Sequence, residues 1–167
     1  MAARITRTLS RSITMEQDIL TESYHDGSQR HGMLSCEHHS AWLYLLKPSD
    51  SPNRSGPVEF TAFAFNLVAP IAGSEVQGYR PSPPPIVDSF ASDFAVCANP
   101  NEYTWEIAWS NDGHSVALHR DGEPWCFITP GAKYGFSRAI STDGPWGKPW
   151  CNDSFAQTDW GSAENAR

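Results

Sequence analysis

The sequence predicts a mainly β or α+β protein: a single antiparallel β-sheet domain, a sandwich or a half-barrel, with one or two short helices. Apolar residues alternate with small or polar ones in several short segments, and no long segment shows the 3.6-residue period of an amphipathic helix. The 167 residues also include seven Trp, eight Phe, twelve Gly and thirteen Pro. This composition is typical of a β-rich protein with many turns.

Residues 103–129 contain the clearest strand pattern. They predict a meander of three strands, at 103–110, 115–120 and 124–129. In the first strand Trp105, Ile107 and Trp109 alternate with smaller or polar residues, which gives it one bulky apolar face. The turns contain Asp112-Gly113 and Asp121-Gly122, and Asp-Gly pairs accept the positive φ of a tight hairpin. We therefore expect the meander to form the nucleus of the fold, with its tryptophans in the core.

The N-terminal half predicts three further strands, at 18–24, 41–47 and 58–66. Residues 41–46 are apolar throughout, which predicts a central strand buried on both faces. In the third strand aromatic residues alternate with small ones. We expect Phe60, Phe63 and Phe65 to share one face of it.

The remaining segments predict mostly connections. Residues 24–27 predict a turn, and residues 29–32 continue it as a polar connection. Segment 86–97 fits a strand or a short helix, and segment 131–140 fits a short helix or an irregular return. Segment 143–150 holds two Pro and two Gly, so we expect no regular structure there.

The length fits one β-rich globular domain, which we place at residues 16–160. Residues 1–15 are rich in Arg and Ser, a composition found both in organellar transit peptides and in disordered extensions. We expect a disordered N-terminal extension. Residues 161–167 are small and polar, and we expect them to fray.

The formal net charge of −7 conceals an asymmetry. The first fifteen residues carry Arg4, Arg7 and Arg11 and no acidic residue. Removing these three from the twelve basic residues leaves nine against nineteen acidic ones in residues 16–167, a net charge of −10. Such a surface repels phosphate backbones, so we expect no nucleic-acid partner. No segment approaches the roughly 18 apolar residues of a membrane span, so we expect no membrane partner.

The four cysteines predict a reducing compartment. Cys36, Cys97, Cys126 and Cys151 are irregularly spaced and form no C-x-x-C pair of the kind that binds zinc or exchanges disulfides. Cys97 and Cys126 lie in apolar segments, where a reduced cysteine behaves as a small hydrophobic residue. We expect a cytoplasmic location and no required cofactor.

One segment of the meander resembles a known repeat. Trp109-Ser-Asn-Asp-Gly-His-Ser-Val-Ala117 is similar to the blade motif of TolB-like and WD40-type β-propellers, in which an apolar strand, an Asp-Gly turn and a Val-Ala strand recur. The similarity is confined to residues 105–129 and occurs once, whereas a propeller repeats at least four blades. The resemblance therefore implies a local meander and no propeller function.

A broader resemblance depends on three short phrases. Tyr24-His-Asp-Gly27, Ser35-Cys-Glu-His38 and Gly144-Pro-Trp146 make the chain similar to small bacterial proteins of unknown function, of the kind encoded in environmental or mobile-cassette DNA. This resemblance implies no catalytic residues.

Segment 25–39 is the densest group of residues able to do chemistry, because it holds four of the six histidines and one cysteine. The candidate metal ligands are His25, His31, Cys36 and His38. Together they could form an open site for zinc, although the spacing matches no established ligand pattern and solvated histidines also explain it. A small hydrolase-like or metal-dependent enzyme using this segment, with Cys36 as a nucleophile, is the alternative function.

The function that we expect is that of a small, acidic binding or interaction protein with an unidentified small-molecule or protein ligand. Trp146 and Trp150 lie in a Pro- and Gly-rich loop, and they could present flat aromatic faces to a ligand or cover the open end of the sheet. The open sheet also predicts self-association as a two-fold homodimer, because unpaired strand edges are commonly paired with a second chain.

Overall fold

A computed structural model, which describes residues 18–80 and 83–161, confirms the mainly β fold. Its strands are β1 (Asp18–His25), β2 (Arg30–Glu37), β3 (Ser40–Leu46), β4 (Val58–Asn66), β5 (Trp105–Trp109), β6 (Val116–Arg120), β7 (Glu123–Ile128), β8 (Phe136–Ser137) and β9 (Lys148–Pro149). Short 3-10 turns lie at Gly73–Glu75 and Pro100–Glu102, and one helix, α1, spans Asn152–Gln157. None of the helices formed by the described residues has the length and apolar character needed to cross a lipid bilayer.

The strands form two sheets that pack face to face. Sheet 1 has the order β1-β2-β3-β4 and is antiparallel throughout. Sheet 2 has the order β5-β6-β7-β8-β9 and is antiparallel except for the parallel pair β8 and β9. Six of these strands agree with the predicted ones within two residues at each end. The predictions for residues 1–15 lie outside the described residues, as do those for residues 162–167.

Strand β2 corrects the prediction of a polar connection at residues 29–32. Gly32 lies against the other sheet, where a Cβ atom would come 3.2 Å from Val116 and 3.3 Å from Trp109. Arg30 is buried because its guanidinium pairs with Glu59 at 3.3 Å. Arg and Gly are residue types that suggest an exposed connection. Both are buried here because their contacts come from residues that are distant along the chain.

The inner core lies between the two sheets. The three meander tryptophans are buried there as predicted, with Trp105 7 %, Trp109 2 % and Trp125 3 % exposed. Two of them also donate hydrogen bonds from the indole to sheet 1. Trp109 donates to Ser23 Oγ at 2.9 Å, and Trp125 donates to the carbonyl of Ala64 at 2.8 Å. These bonds fix the two sheets relative to each other while satisfying the buried N–H groups.

A second core covers the outer face of sheet 1. It contains Trp42, Phe63, Ile86, Val87, Ala95, Ala139, Ile140 and Trp146. Strand β3 is therefore buried on both faces, as its apolar sequence predicts. The prediction that the phenylalanines of β4 share one face is wrong. A bulge between the Ala41–Phe65 and Trp42–Phe63 pairs turns Phe65 toward the inner core and Phe63 toward the outer one.

The C-terminal region closes the outer face of sheet 2. Phe127 is fully buried there among the rings of Phe136, Trp150, Phe155 and Trp160, with centroids 4.7 to 6.3 Å away. Segment 131–140 is an irregular return that contains β8 and no helix. The proline- and glycine-rich segment 143–150 still contributes the two-residue strand β9, which is a small correction to the prediction of no regular structure. Gly161, the first residue of the segment predicted to fray, is hydrogen-bonded to β5, because its amide donates to the carbonyl of Trp109 at 2.8 Å.

Candidate functional site

The two ends of the sandwich are built differently. At one end, the turn after β1 packs against the turn between β5 and β6, and we call this the His25 end. At the other end, the turn at Asp121-Gly122 borders an open cleft, and we call this the Arg120 end. The cleft has a volume of about 390 Å³ and is lined by Phe94, Tyr103, Arg120, Asp121, Glu123, Trp125 and Arg138. This volume is at the lower end of the range of small-molecule sites.

Arg120 is held by aromatic rings at the mouth of the inner core. Its guanidinium carbon lies 3.9 Å from the ring centroid of Trp125 and 4.6 Å from that of Tyr103. Each such contact contributes about 0.5–1 kcal/mol at an exposed site and orients the planar group. Within residues 18–80 and 83–161 the guanidinium has neither a hydrogen bond nor an ion pair. Its N–H donors are therefore available on the wall of the cleft.

Arg138 is the second cation of the cleft, and it is also positioned by the fold. Its Nε donates to the carbonyl of Pro124 at 2.6 Å, and its guanidinium carbon lies 4.1 Å from the ring centroid of Trp150. The terminal nitrogens donate no hydrogen bond to any other described residue. Two guanidinium groups with unused donors thus line one small cavity.

Two carboxylates lie on the same rim. Asp121 occupies the left-handed region, with φ of 50°, in the turn between β6 and β7. Its Oδ1 accepts the amide of Thr104 at 2.7 Å, and its own amide donates to the carbonyl of Thr104 at 2.8 Å. Glu123 faces Arg120 across the β6–β7 ladder, yet the two form no ion pair. The turn therefore fixes acidic and basic groups beside one another without neutralising them.

Exposed apolar side chains extend this site. Two of the aromatic lining residues are exposed: Phe94 is 62 % exposed and Tyr103 is 36 % exposed. The ring of Phe94 meets that of Trp125 edge to face, with centroids 6.4 Å apart. The burial of such side chains is favourable, so this combination with unpaired charges is the usual composition of a binding surface.

The structure does not bring the four predicted metal ligands together. His25 and His31 lie near the His25 end of the β1–β2 hairpin, whereas Cys36 and His38 lie toward its other end. A strand rises about 3.3 Å per residue, so His31 and His38 are about 20 Å apart. Within the ranges that the structure describes, there is no group of three or more His, Cys, Asp or Glu residues placed to hold a metal ion.

His25 closes a turn. Its Nδ1 accepts the amide of Ser28 at 3.1 Å and lies 3.1 Å from Ser28 Oγ. A serine hydroxyl beside an imidazole is the first requirement of a nucleophilic pair, but here the amide already occupies the nitrogen that would take the proton. Burial lowers the pKa of His25, which keeps the ring neutral and able to accept. The contact therefore explains the fold of residues 25–28.

The other predicted ligands also have local roles. His31 Nε2 lies 2.9 Å from the carbonyl of Pro52, to which it donates. Cys36 is buried in the inner core, and burial raises the pKa of its thiol to about 12. A neutral thiol is a poor metal ligand and a poor nucleophile. His38 has φ of 59° and occupies the turn between β2 and β3.

The two predicted ligand-binding tryptophans have separate environments. Trp146 is 6 % exposed in the outer core and donates its indole N–H to the carbonyl of Pro84 at 3.3 Å. Trp150 is half-buried against Phe127, and its ring carries the guanidinium of Arg138. Only Trp150 is therefore next to the cleft, through Arg138.

The sequence did not identify the lining residues of the cleft as a site, because they come from four separate segments. One sequence feature could have indicated the site. Arg120 is the cross-strand partner of Trp105, so it places a charged side chain on the otherwise apolar face of the meander. A second, smaller cavity of about 270 Å³ is lined by glycines together with Lys133, Tyr134, Asp143 and Lys148. No protein-family model matches this chain, and comparisons with curated proteins and with solved structures give no match either.

Proposed function

We propose that this protein is a small binding protein that holds a carboxylate-bearing ligand with an apolar part in the cleft at the Arg120 end. One observation carries the proposal: a guanidinium fixed between two aromatic rings, on the wall of a cavity, with no acceptor among the described residues. Arg120 is only half-buried, so water reaches its donors in the free protein, and an anionic ligand would replace that water with charge-assisted hydrogen bonds.

The chemistry of the lining favours a carboxylate. The planar fork of an arginine matches the two oxygens of a carboxylate, and such charge-assisted pairs are about twice as strong as neutral hydrogen bonds. The apolar part of the ligand would contact Phe94 and Tyr103, whose exposed rings line the same cavity. The chain as a whole carries a net negative charge, so the two guanidinium groups of the cleft form a local basic site on an acidic protein.

A matched pair of variants tests the proposal with 3-phenylpropionate as the probe. We expect Arg120→Gln to weaken binding at least about tenfold, since a hydrogen bond to a charged group contributes about 1.5–3 kcal/mol. Arg80→Gln removes an arginine that lies outside the cleft and should bind as the unmodified protein does. Dissociation constants and perturbed amides from NMR titration measure both. Equal binding by the Arg120→Gln variant, or no perturbation of cleft residues, would contradict the proposal.

Two further parts of the proposal concern the setting of the protein. A cytoplasmic location is supported by four free cysteines, three of them buried. The homodimer stays a prediction, for which the exposed Ile19 on the edge strand β1 is a candidate contact. Light scattering at micromolar concentration tests it, because a mass near 18.5 kDa that does not change with concentration would indicate a monomer.

A further inference from the structure

We propose that the ligand of the cleft is a zwitterion of the amino-acid class, whose carboxylate pairs with the arginines and whose ammonium pairs with Glu123 and Asp121. This inference rests on the proposed function and specifies its ligand. Its basis is the charge pattern of the cleft, which combines two guanidinium groups with two carboxylates inside about 390 Å³.

The charges of the cleft are adjacent but unpaired. Glu123 is the direct cross-strand partner of Arg120, an arrangement in which opposite charges commonly pair. The guanidinium instead lies on the rings of Trp125 and Tyr103, and the described part of the chain contains no ion pair of Arg120, Asp121 or Glu123. Arg120 is therefore oriented by aromatic rings and Asp121 by the Thr104 amide, and not by an ion pair with each other.

A simple anion matches only half of this pattern. Its carboxylate would gain Arg120 and Arg138 but would also lie near Asp121 and Glu123, and like charges within a few ångströms repel. A simple cation has the converse difficulty. A molecule with both an ammonium and a carboxylate satisfies all four groups, and it leaves the cleft neutral when bound.

The apolar lining defines the rest of the ligand. Phe94 and Tyr103 present exposed ring surface at the same cavity, which suits an aromatic or large aliphatic side chain. The volume restricts the ligand to a small molecule. An α-amino acid with an apolar side chain combines these properties.

Three ligands that all carry a phenyl group test the contributions of the ammonium and the carboxylate separately. L-phenylalanine carries both charges, 3-phenylpropionate lacks the ammonium, and phenethylamine lacks the carboxylate. We expect calorimetry and NMR titration to show phenylalanine binding at least about tenfold more tightly than either analogue. If 3-phenylpropionate binds as tightly as phenylalanine, the zwitterion inference is wrong and the proposed function stands. If none of the three perturbs the cleft amides, both are wrong.

Substitution of either acidic residue on the rim should change the affinities for phenylalanine and for 3-phenylpropionate in opposite directions. Glu123→Gln should weaken phenylalanine binding at least about fivefold and tighten 3-phenylpropionate binding about twofold, because it removes an attraction in one case and a repulsion in the other. Asp121→Asn should act in the same way, and it keeps the acceptor for Thr104 and a residue type that tolerates the left-handed backbone. Thermal unfolding of each variant identifies a folding defect, which would weaken the binding of both ligands together, so the comparison is made with folded variants. Changes in the same direction for both ligands in both variants would overturn the inference.

Discussion

The His25 end and the Arg120 end use similar residues to opposite effect. At the His25 end polar groups meet polar groups: His25 with Ser28, Ser110 Oγ with Asp112 at 2.7 Å, and Arg30 with Glu59. Hydrogen bonds from the His114 amide and from Ser110 hold the pKa of Asp112 below its usual range. At the Arg120 end the guanidinium groups lie on aromatic rings, and neither Asp121 nor Glu123 forms an ion pair with any described residue. Charged and polar side chains thus pair with one another at the His25 end, whereas the arginines of the Arg120 end lie on aromatic rings beside carboxylates with which they form no ion pair.

Two glycines should give the largest difference between the ends. Gly113 has φ of +71°, and a Cβ atom there would come 2.2 Å from Nδ1 of His25. Gly122 has φ of +84°, with no atom within 4 Å of the added carbon. We expect Gly113→Ala to lower the free energy of unfolding by about 3 kcal/mol, from backbone strain together with the displaced His25, and Gly122→Ala to lower it by about 1 kcal/mol from strain alone.

Urea denaturation of the two glycine variants measures this difference. The two share the cost of a side chain in the left-handed region, so the excess at Gly113 reports the packing of the His25 end. Equal losses of stability would mean that the turns at the two ends are equally open.

Removing the charge of one glutamate at each end tests whether ion pairing stabilises the His25 end more than the Arg120 end. Glu59 pairs with the buried Arg30, whereas Glu123 is exposed and unpaired within the described residues. We expect Glu59→Gln to cost about 2 kcal/mol, since it leaves a buried cation without its counter-charge, and Glu123→Gln to cost less than about 0.5 kcal/mol. Thermal and urea unfolding check both values. A large cost at Glu123 would show that the Arg120 end also depends on ion pairing for its stability.

The smallest effect should be a dependence of stability on pH. Burial lowers the pKa of His25 and that of His119. As the pH falls, the unfolded chain therefore takes up these protons first, so the stabilisation is complete above about pH 6.5 and declines below it. We expect urea titrations to show a lower free energy of unfolding at about pH 5 than at about pH 7. His25→Gln should reduce this difference, with His119→Gln accounting for the remainder. An unchanged pH profile in the His25→Gln protein would contradict the role of the neutral ring.

Alternation along single segments was sufficient to predict most of the strands. It predicted β5, β6 and β7 with their buried tryptophans, because in these strands the alternation of apolar and polar residues is sufficient to identify the buried face. It failed at Arg30 and Gly32, whose burial depends on Glu59 and on the opposite sheet. It also failed for Phe65, which the bulge in β4 places on the face opposite to Phe63, because that bulge follows from pairing with β3 and leaves no mark in the sequence of β4.

The candidate site was less predictable than the fold. The histidines of segment 25–39 are close in sequence, but a hairpin carries them to opposite ends of the sandwich. The cleft has the reverse property, because Phe94, Arg120 and Arg138 are distant in sequence and meet only after the sheets have packed. The residue type of Trp150 was enough to predict an aromatic surface. Its contact with Arg138 could not be predicted, because it forms only when the chain returns after β7.

The order of the strands has a consequence for how the chain folds. In both sheets every hydrogen-bonded neighbour is also the next strand along the chain. Each sheet can therefore grow one strand at a time, by hairpins and, at β9, by parallel pairing with β8, and each step closes only a short loop at a small entropic cost. The docking of the sheets is different, because the bond from Trp125 to Ala64 joins residues 61 positions apart. We expect the meeting of two largely formed sheets to be the slow step of folding, since non-local contacts repay their loop entropy only when many form together.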